Sequence, residues 1–271
     1  MNRSPLSRAR AFCDRFGIRL PILLAPMAGA CPPSLSVAVM RAGSMGACGA
    51  LLFGPDQIKR WAADVRAASD GPFQINLWIP DPPPVRDREQ EARVRQFLER
   101  WGPPVPVDAG DATPPDFDEQ CRALLDVRPA AVSSIMGLYP PAFVAELKAA
   151  GIAWFATATT VAEAKLAAAA GADVIVAQGM EAGGHRGAFD ARDAERKQVG
   201  LVALVPAIVD AVELPVVAAG GIADGRGVAA ALALGASAAM IGTGFLRCDE
   251  AQLHPAWAAR LGETAPEDTM L

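Results

Sequence analysis

A chain of 271 residues is long for a minimal domain and short for two, and 52% hydrophobic against 20% charged residues supplies one large core and excludes the disordered class. The net charge of −5, from 25 basic and 30 acidic residues with no basic stripe, excludes a surface that tracks a nucleic-acid backbone. No stretch approaches the roughly 20 apolar residues of a membrane helix, and five scattered cysteines without a Cys-x-x-Cys pair point to a reducing, cytoplasmic setting and away from a structural metal.

Taken in order, residues 5–16 pattern as a short amphipathic helix able to plug the bottom of a barrel. The apolar run from Leu20 to Ala30 follows arginine-bearing residues as a secretion leader would, but Pro21 and Pro26 interrupt it and Asp14 precedes it. It reads instead as a first buried strand, Pro21 to Ala25, ending in Pro26-Met27-Ala28-Gly29. A helix over 34–42 closes at Gly43, and 45–50 is strand-like. Residues 55–68 form a clearer helix, with Pro55 in the first turn and Ile58, Trp61, Ala62 and Val65 at helical spacing. The third strand, 73–79, contains Asn76.

The alternation then pauses. Pro80-Asp81-Pro82-Pro83-Pro84 ends the strand, a charged helix spans about 86–100, and 102–116 is rich in Pro, Asp and Gly. Too few apolar residues occur for a separate core, so 80–118 is an insertion in a single 1–271 domain, either a lid over a site or a surface excursion. Strand and helix resume at 130–135, 141–150, 153–156 and 161–170, the last with Thr159 or Thr160 as cap and Gly171 as stop. Strand 173–177, helix 201–212, strand 215–219, helix 225–234 with Asp224 as cap, and strand 238–241 complete the chain. Eight such alternations predict an α/β fold, the TIM (β/α)8 barrel with an insertion after strand 3. The alternative is a doubly wound open sheet, but the first strand lacks the nucleotide-binding glycine fingerprint.

Strand Val174-Ile175-Val176-Ala177 breaks into a glycine-rich loop that carries Gln178, Glu181 and His185, one of two histidines in the chain. In a closed barrel, strand ends face one mouth, and Met27, Asn76, Ser133, Ser134, Thr157, Gln178 and His185 surround a single pocket. Strand seven ends in Gly220-Gly221 and strand eight in Gly242-Thr243-Gly244. Tight turns explain either pair of glycines alone; both together, with the Thr243 hydroxyl, favour a phosphate site built from backbone N–H groups. Asn76 and Gln178 offer donors and acceptors suited to the edge of a heterocycle. Chemistry joined to analogy therefore favours flavin mononucleotide (FMN) over a simple sugar phosphate.

Four segments occur together and in order: Pro21-Ile22-Leu23-Leu24-Ala25-Pro26-Met27-Ala28-Gly29, Ala177-Gln178-Gly179-Met180-Glu181-Ala182-Gly183-Gly184-His185, Ala219-Gly220-Gly221-Ile222-Ala223, and Ile241-Gly242-Thr243. Across nearly the whole chain this resembles the nitronate monooxygenase family, formerly called 2-nitropropane dioxygenases. The resemblance implies an FMN-containing TIM barrel that oxidises alkyl nitronates, such as propionate 3-nitronate, to carbonyl compounds with molecular oxygen. It implies flavin contacts from Met27, Asn76, Gln178 and the Gly183 backbone, phosphate contacts from Gly220, Gly221, Gly242 and Thr243, and His185 as the active-site histidine. That histidine would act as base toward a neutral nitroalkane, or orient an already anionic nitronate.

The chain departs from the family pattern twice. Where many members carry a Phe-His-Phe-Gly segment after strand four, it has Ser133-Ser134-Ile135-Met136-Gly137-Leu138-Tyr139, with Ser134 and Tyr139 as candidate substrate contacts and packing as the other role open to Tyr139. It also stops at Asp268-Thr269-Met270-Leu271, where the resemblance expects a further helical segment. Rival functions are an FMN-dependent enoyl-acyl carrier protein reductase using NADH and a non-catalytic flavin-binding protein. Glu181 either sets a charge near the flavin or meets solvent, Arg186 either attracts an anion or faces water, and His254 is expected at the surface. Homodimerisation is compatible with the sequence, although no residue marks an interface.

Overall fold

Apolar strands separated by helices assemble in the computed structural model, which describes residues 4–82 and 85–268, into one eight-stranded parallel sheet. The strands are β1 (Ile22–Leu24), β2 (Gly46–Gly49), β3 (Phe73–Trp78), β4 (Ala131–Ile135), β5 (Ala153–Ala158), β6 (Val174–Gln178), β7 (Val216–Ala219) and β8 (Ala238–Ile241). Their spatial order is β1-β8-β7-β6-β5-β4-β3-β2, and the bridge Leu23↔Met45 brings the ends of the sheet together. The result is the TIM-like α/β barrel expected from the alternation. Pro83 and Pro84 of the strand-ending proline run, and Thr269 to Leu271, lie outside the described residues.

The helices are α1 (Pro5–Phe16), α2 (Pro33–Arg41), α3 (Pro55–Ala68), α4 (Arg88–Leu98), α5 (Phe117–Val127), α6 (Pro141–Ala150), α7 (Val161–Ala169), α8 (Leu201–Val209), α9 (Gly225–Ala233) and α10 (Pro255–Glu263). The stretch between the proline-rich segment and the fourth strand holds a helix that the sequence reading omitted. Asp116 caps α5 by accepting from the Glu119 N–H at 2.9 Å, and the helix buries Cys121, Ala123, Leu124 and Val127. It is the ordinary crossover between β3 and β4; α4, which buries none of its residues, is the addition. Among the described residues no helix is long and apolar enough to cross a membrane.

Two apolar layers establish which way each strand points. Phe12 and Phe16 of α1 enter a cluster with Leu23, Ala131, Phe155, Val174, Val176, Val217, Ala238 and Met240, which fills the barrel interior. The intervening residues, among them Ile75, Leu77, Val132, Trp154 and Ile175, join the layer between barrel and helices. Because side chains alternate along a strand, Asn76, Trp78, Ser133, Ile135, Thr157 and Gln178 continue the inward face toward the mouth.

Candidate active site

The C-terminal strand ends converge as the barrel geometry requires, and each functional loop is pinned by bonds of its own. At β1, Cys31 accepts the Met27 N–H at 3.4 Å and donates its thiol to the Ala25 carbonyl at 3.3 Å, fixing the turn that carries Met27. Burial pushes this thiol up to about 11, against the Met27 bond, so it remains a neutral clasp. Met27 reaches across to β8, where a Cβ on Gly242 would lie 3.4 Å from its sulfur.

The turn glycines after β6, β7 and β8 face one another. Gly220 has φ +125°, and a Cβ there would stand 2.9 Å from the Ala182 nitrogen; Gly221 has φ +63° and would press on the Glu181 side chain. A Cβ on Gly183 would come within 3.2 Å of the Thr243 hydroxyl oxygen. Met27, Gly183, Gly220, Gly221, Gly242 and Thr243, separated by more than two hundred residues in the chain, thus rim one cradle of exposed backbone.

Opposite the cradle stands a polar wall. Asn76 is buried and donates from Nδ2 to the Ser133 hydroxyl at 3.1 Å. Gln178, also buried, donates from Nε2 to the His185 carbonyl at 3.0 Å and accepts the Gly187 N–H on Oε1 at 2.7 Å, so both ends of its amide hold the histidine loop in place. The His185 ring is exposed, and it meets Trp78 edge to face, with centroids 4.5 Å apart at 67°. Below Asn76 on the same face, Gln74 donates to the Leu24 carbonyl while its own Oε1 is buried without a partner.

The structure does not bring Ser134 and Tyr139 to this mouth. Ser134 points outward, donating to the Gly137 carbonyl and accepting the Trp154 Nε1–H at 3.0 Å. Tyr139 is buried among Phe117, Phe143 and Trp154, with its hydroxyl on the Ser133 carbonyl at 3.0 Å. Both belong to the layer between barrel and helices, because β4 alternates and Ser133, partnered by Asn76, takes the inward phase. Trp78 is the mouth residue that sequence reasoning missed; its signal was its position two residues beyond Asn76 on the same strand.

The charged residues of the histidine loop have structural partners. Glu181 is exposed, yet its carboxylate accepts the Leu201 N–H at 2.9 and 3.0 Å and thereby caps α8, whose own cap position, Gly200, has no side chain. Buried Glu163 closes the capping box of α7 and also accepts the Phe189 N–H at 2.9 Å, tying the loop to that helix. Arg186 donates to the backbone carbonyls of Gln178 and Lys197, and its Nε is buried without a partner. Burial pulls its guanidinium down from the usual value, with Glu163 and Glu181 opposing. His254 is exposed and caps α10, its Nδ1 accepting the Ala256 N–H at 3.3 Å.

Comparison with known proteins agrees with this layout. The sequence profile of the nitronate monooxygenase family matches residues 10–271. The nitronate monooxygenase of Paraburkholderia phytofirmans is 41% identical over 271 residues, spanning 96% of this chain and 72% of the relative, and that of Pseudomonas aeruginosa is 40% identical, spanning 92% and 73%. Among solved structures, nitroalkane oxidase from Streptomyces ansochromogenes superposes with a TM-score of 0.78 at 36% identity, over 89% of this chain and 69% of that one. FabK from Thermotoga maritima does so at 0.73 with 28% identity, over 98% and 69%. With the family profile extending from α1 to the chain end and two relatives at 40% identity or above, this chain belongs to the nitronate monooxygenase family of oxidoreductases.

Proposed function

We propose that this chain is an FMN-dependent nitronate monooxygenase that oxidises alkyl nitronates to carbonyl compounds with molecular oxygen. The observation that carries the reading is the convergence of a glycine cradle, whose Gly220 has no room for a Cβ, with the Asn76, Gln178 and His185 wall across one barrel mouth. The residues present fit the cofactor: backbone N–H groups at Gly220, Gly221, Gly242 and Thr243 would hold the phosphate. Met27, Gly183, Asn76 and the remaining N–H of Gln178 would contact the ring system. When bound, the flavin supplies one-electron and oxygen chemistry.

The protein's own residues bind and orient. His185, fixed through its carbonyl by Gln178 and through its ring by Trp78, presents an imidazole nitrogen at the mouth. Toward a neutral nitroalkane that nitrogen takes the α-proton; toward a nitronate it donates a hydrogen bond to the anion. The closing test is a visible spectrum with oxygen uptake on propionate 3-nitronate and butyl-1-nitronate, alongside His185→Ala. A flavin spectrum with nitronate-dependent uptake, reduced about 10²-fold or more in the variant, is the expected result. Flavin without uptake would overturn the activity, and consumption of NADH with an enoyl thioester would transfer the chain to the reductase reading.

A further inference from the structure

Strand register sets the inward side chains of the middle strands in levels. Asn76 pairs with Ser133, and two residues further toward the mouth Trp78 pairs with Ile135. On β5, Phe155 lies beside Ser133 and fills the barrel interior, so Thr157 is the next inward residue and stands at the level of Trp78 and Ile135. The His185 ring packs on Trp78 at that same level. Two strand spacings, roughly 10 Å, separate the β3 and β5 backbones, which puts Thr157 on the far side of Ile135 from the histidine.

Thr157 is only 8% exposed, yet its hydroxyl is uncommitted. Its methyl lies 3.1 Å from where a Cβ on Gly187 would stand, so the His185 loop covers the methyl. The hydroxyl makes no hydrogen bond among the described residues and is not enclosed, and on the inward face it opens on the mouth. The amides of the wall are engaged by comparison: Asn76 donates to Ser133, and Gln178 holds the His185 carbonyl and the Gly187 N–H. A nine-tenths-buried hydroxyl left unpaired in a site braced by its own bonds is a donor kept for a ligand. A nitronate spreads its negative charge over two oxygens, of which His185 meets one. Trp78 stands on the histidine's own side and Ile135 has no polar atom, so the second oxygen finds its donor at Thr157.

Resting on the nitronate reading above, we infer that Thr157 is a substrate-binding residue whose hydroxyl donates a hydrogen bond to the nitronate oxygen that His185 does not meet. The negative charge is present in the bound substrate and leaves it during oxidation, so this bond favours binding more than turnover.

The experiment uses Thr157→Val, which keeps the methyl packing and removes the donor, and Thr157→Ser, which keeps the donor. With wild type, each flavin-loaded protein is compared for KM and kcat on propyl-1-nitronate and for FMN affinity. Equilibrium binding of nitrate, an unreactive planar anion with the same O–N–O group, is read in parallel by tryptophan fluorescence. Thr157→Val should raise KM and the nitrate Kd about ten-fold or more, with kcat within about two-fold and FMN affinity unchanged, and Thr157→Ser should bring both back to within about three-fold of wild type. Unchanged KM and nitrate affinity in Thr157→Val overturn the inference, as does a matching loss of FMN affinity, which would assign the hydroxyl to the cofactor. If wild type consumes no nitronate, the activity reading fails separately and nitrate still decides: an affinity that depends on the Thr157 hydroxyl upholds the anion contact, whereas no binding, or equal binding by all three proteins, refutes it.

Discussion

Gly220 and Gln178 show how much of this site depends on single atoms. Gly220 has φ +125°, a region that side chains rarely enter, and a Cβ there would lie 2.9 Å from the Ala182 nitrogen. Gly220→Ala should cost about 1–3 kcal/mol of local strain and weaken FMN retention at least about ten-fold, measured by flavin fluorescence titration. Undiminished flavin affinity would remove the cradle from the cofactor site. Gln178 has a role no sequence pattern announces, because its amide closes a ring with the His185 carbonyl and the Gly187 N–H. The residue types at the mouth were legible from the chain, whereas their division between inward and outward faces was not. Ser133 and Ser134 are adjacent hydroxyls, and only the Asn76↔Ser133 register decides which one faces the site.

At the scale of elements, the loop between β6 and α8 is irregular but anchored at both ends. Glu181 substitutes for the side chain that Gly200 lacks at the start of α8, and Glu163 ties Phe189 to the α7 capping box. Glu181→Ala should therefore destabilise the protein by about 1 kcal/mol, the usual value of a lost helix cap, read as a lower urea midpoint with an unchanged slope. It should also speed proteolysis within residues 179–200; an unchanged midpoint would show that the contact contributes nothing. The helix boundaries were mostly readable, since proline and glycine punctuate them: α3, α6 and β8 occupy the ranges the pattern predicts. Helix α5 escaped because Pro, Asp and Gly dominate the residues just before it, and because its Phe117–Val127 stretch borders an insertion that draws attention away from its apolar stripe.

For the molecule as a whole, closure of the barrel brings distant segments into ion pairs that hold helices to strands. Asp173, just before β6, accepts from Lys148 at 2.5 Å, from the Trp154 N–H at 2.9 Å and from Arg15 of α1 at 3.0 Å. Burial opposes ionisation of this carboxyl, and those three donors outweigh it, so its value lies below the ordinary range. A depressed carboxyl stabilises the fold above the unfolded value, about 3.9, and that contribution is lost as pH falls through the folded value. Urea unfolding free energies should decline more steeply below about pH 4 for wild type than for Asp173→Asn. Parallel declines would assign acid lability elsewhere.

Local pattern by itself determined the strand and helix alternation, the α/β barrel and the glycine turns at its seventh and eighth strands, because spacing, capping residues and chain punctuation are properties of neighbours in sequence. Tertiary structure alone decided that Trp78 packs on His185, that Ile135 lies beneath Gly187, and that Tyr139 turns into the outer layer. Strand phase is set collectively by register and by the α1 plug in the barrel interior, and a shift of one residue would exchange every inward side chain for an outward one.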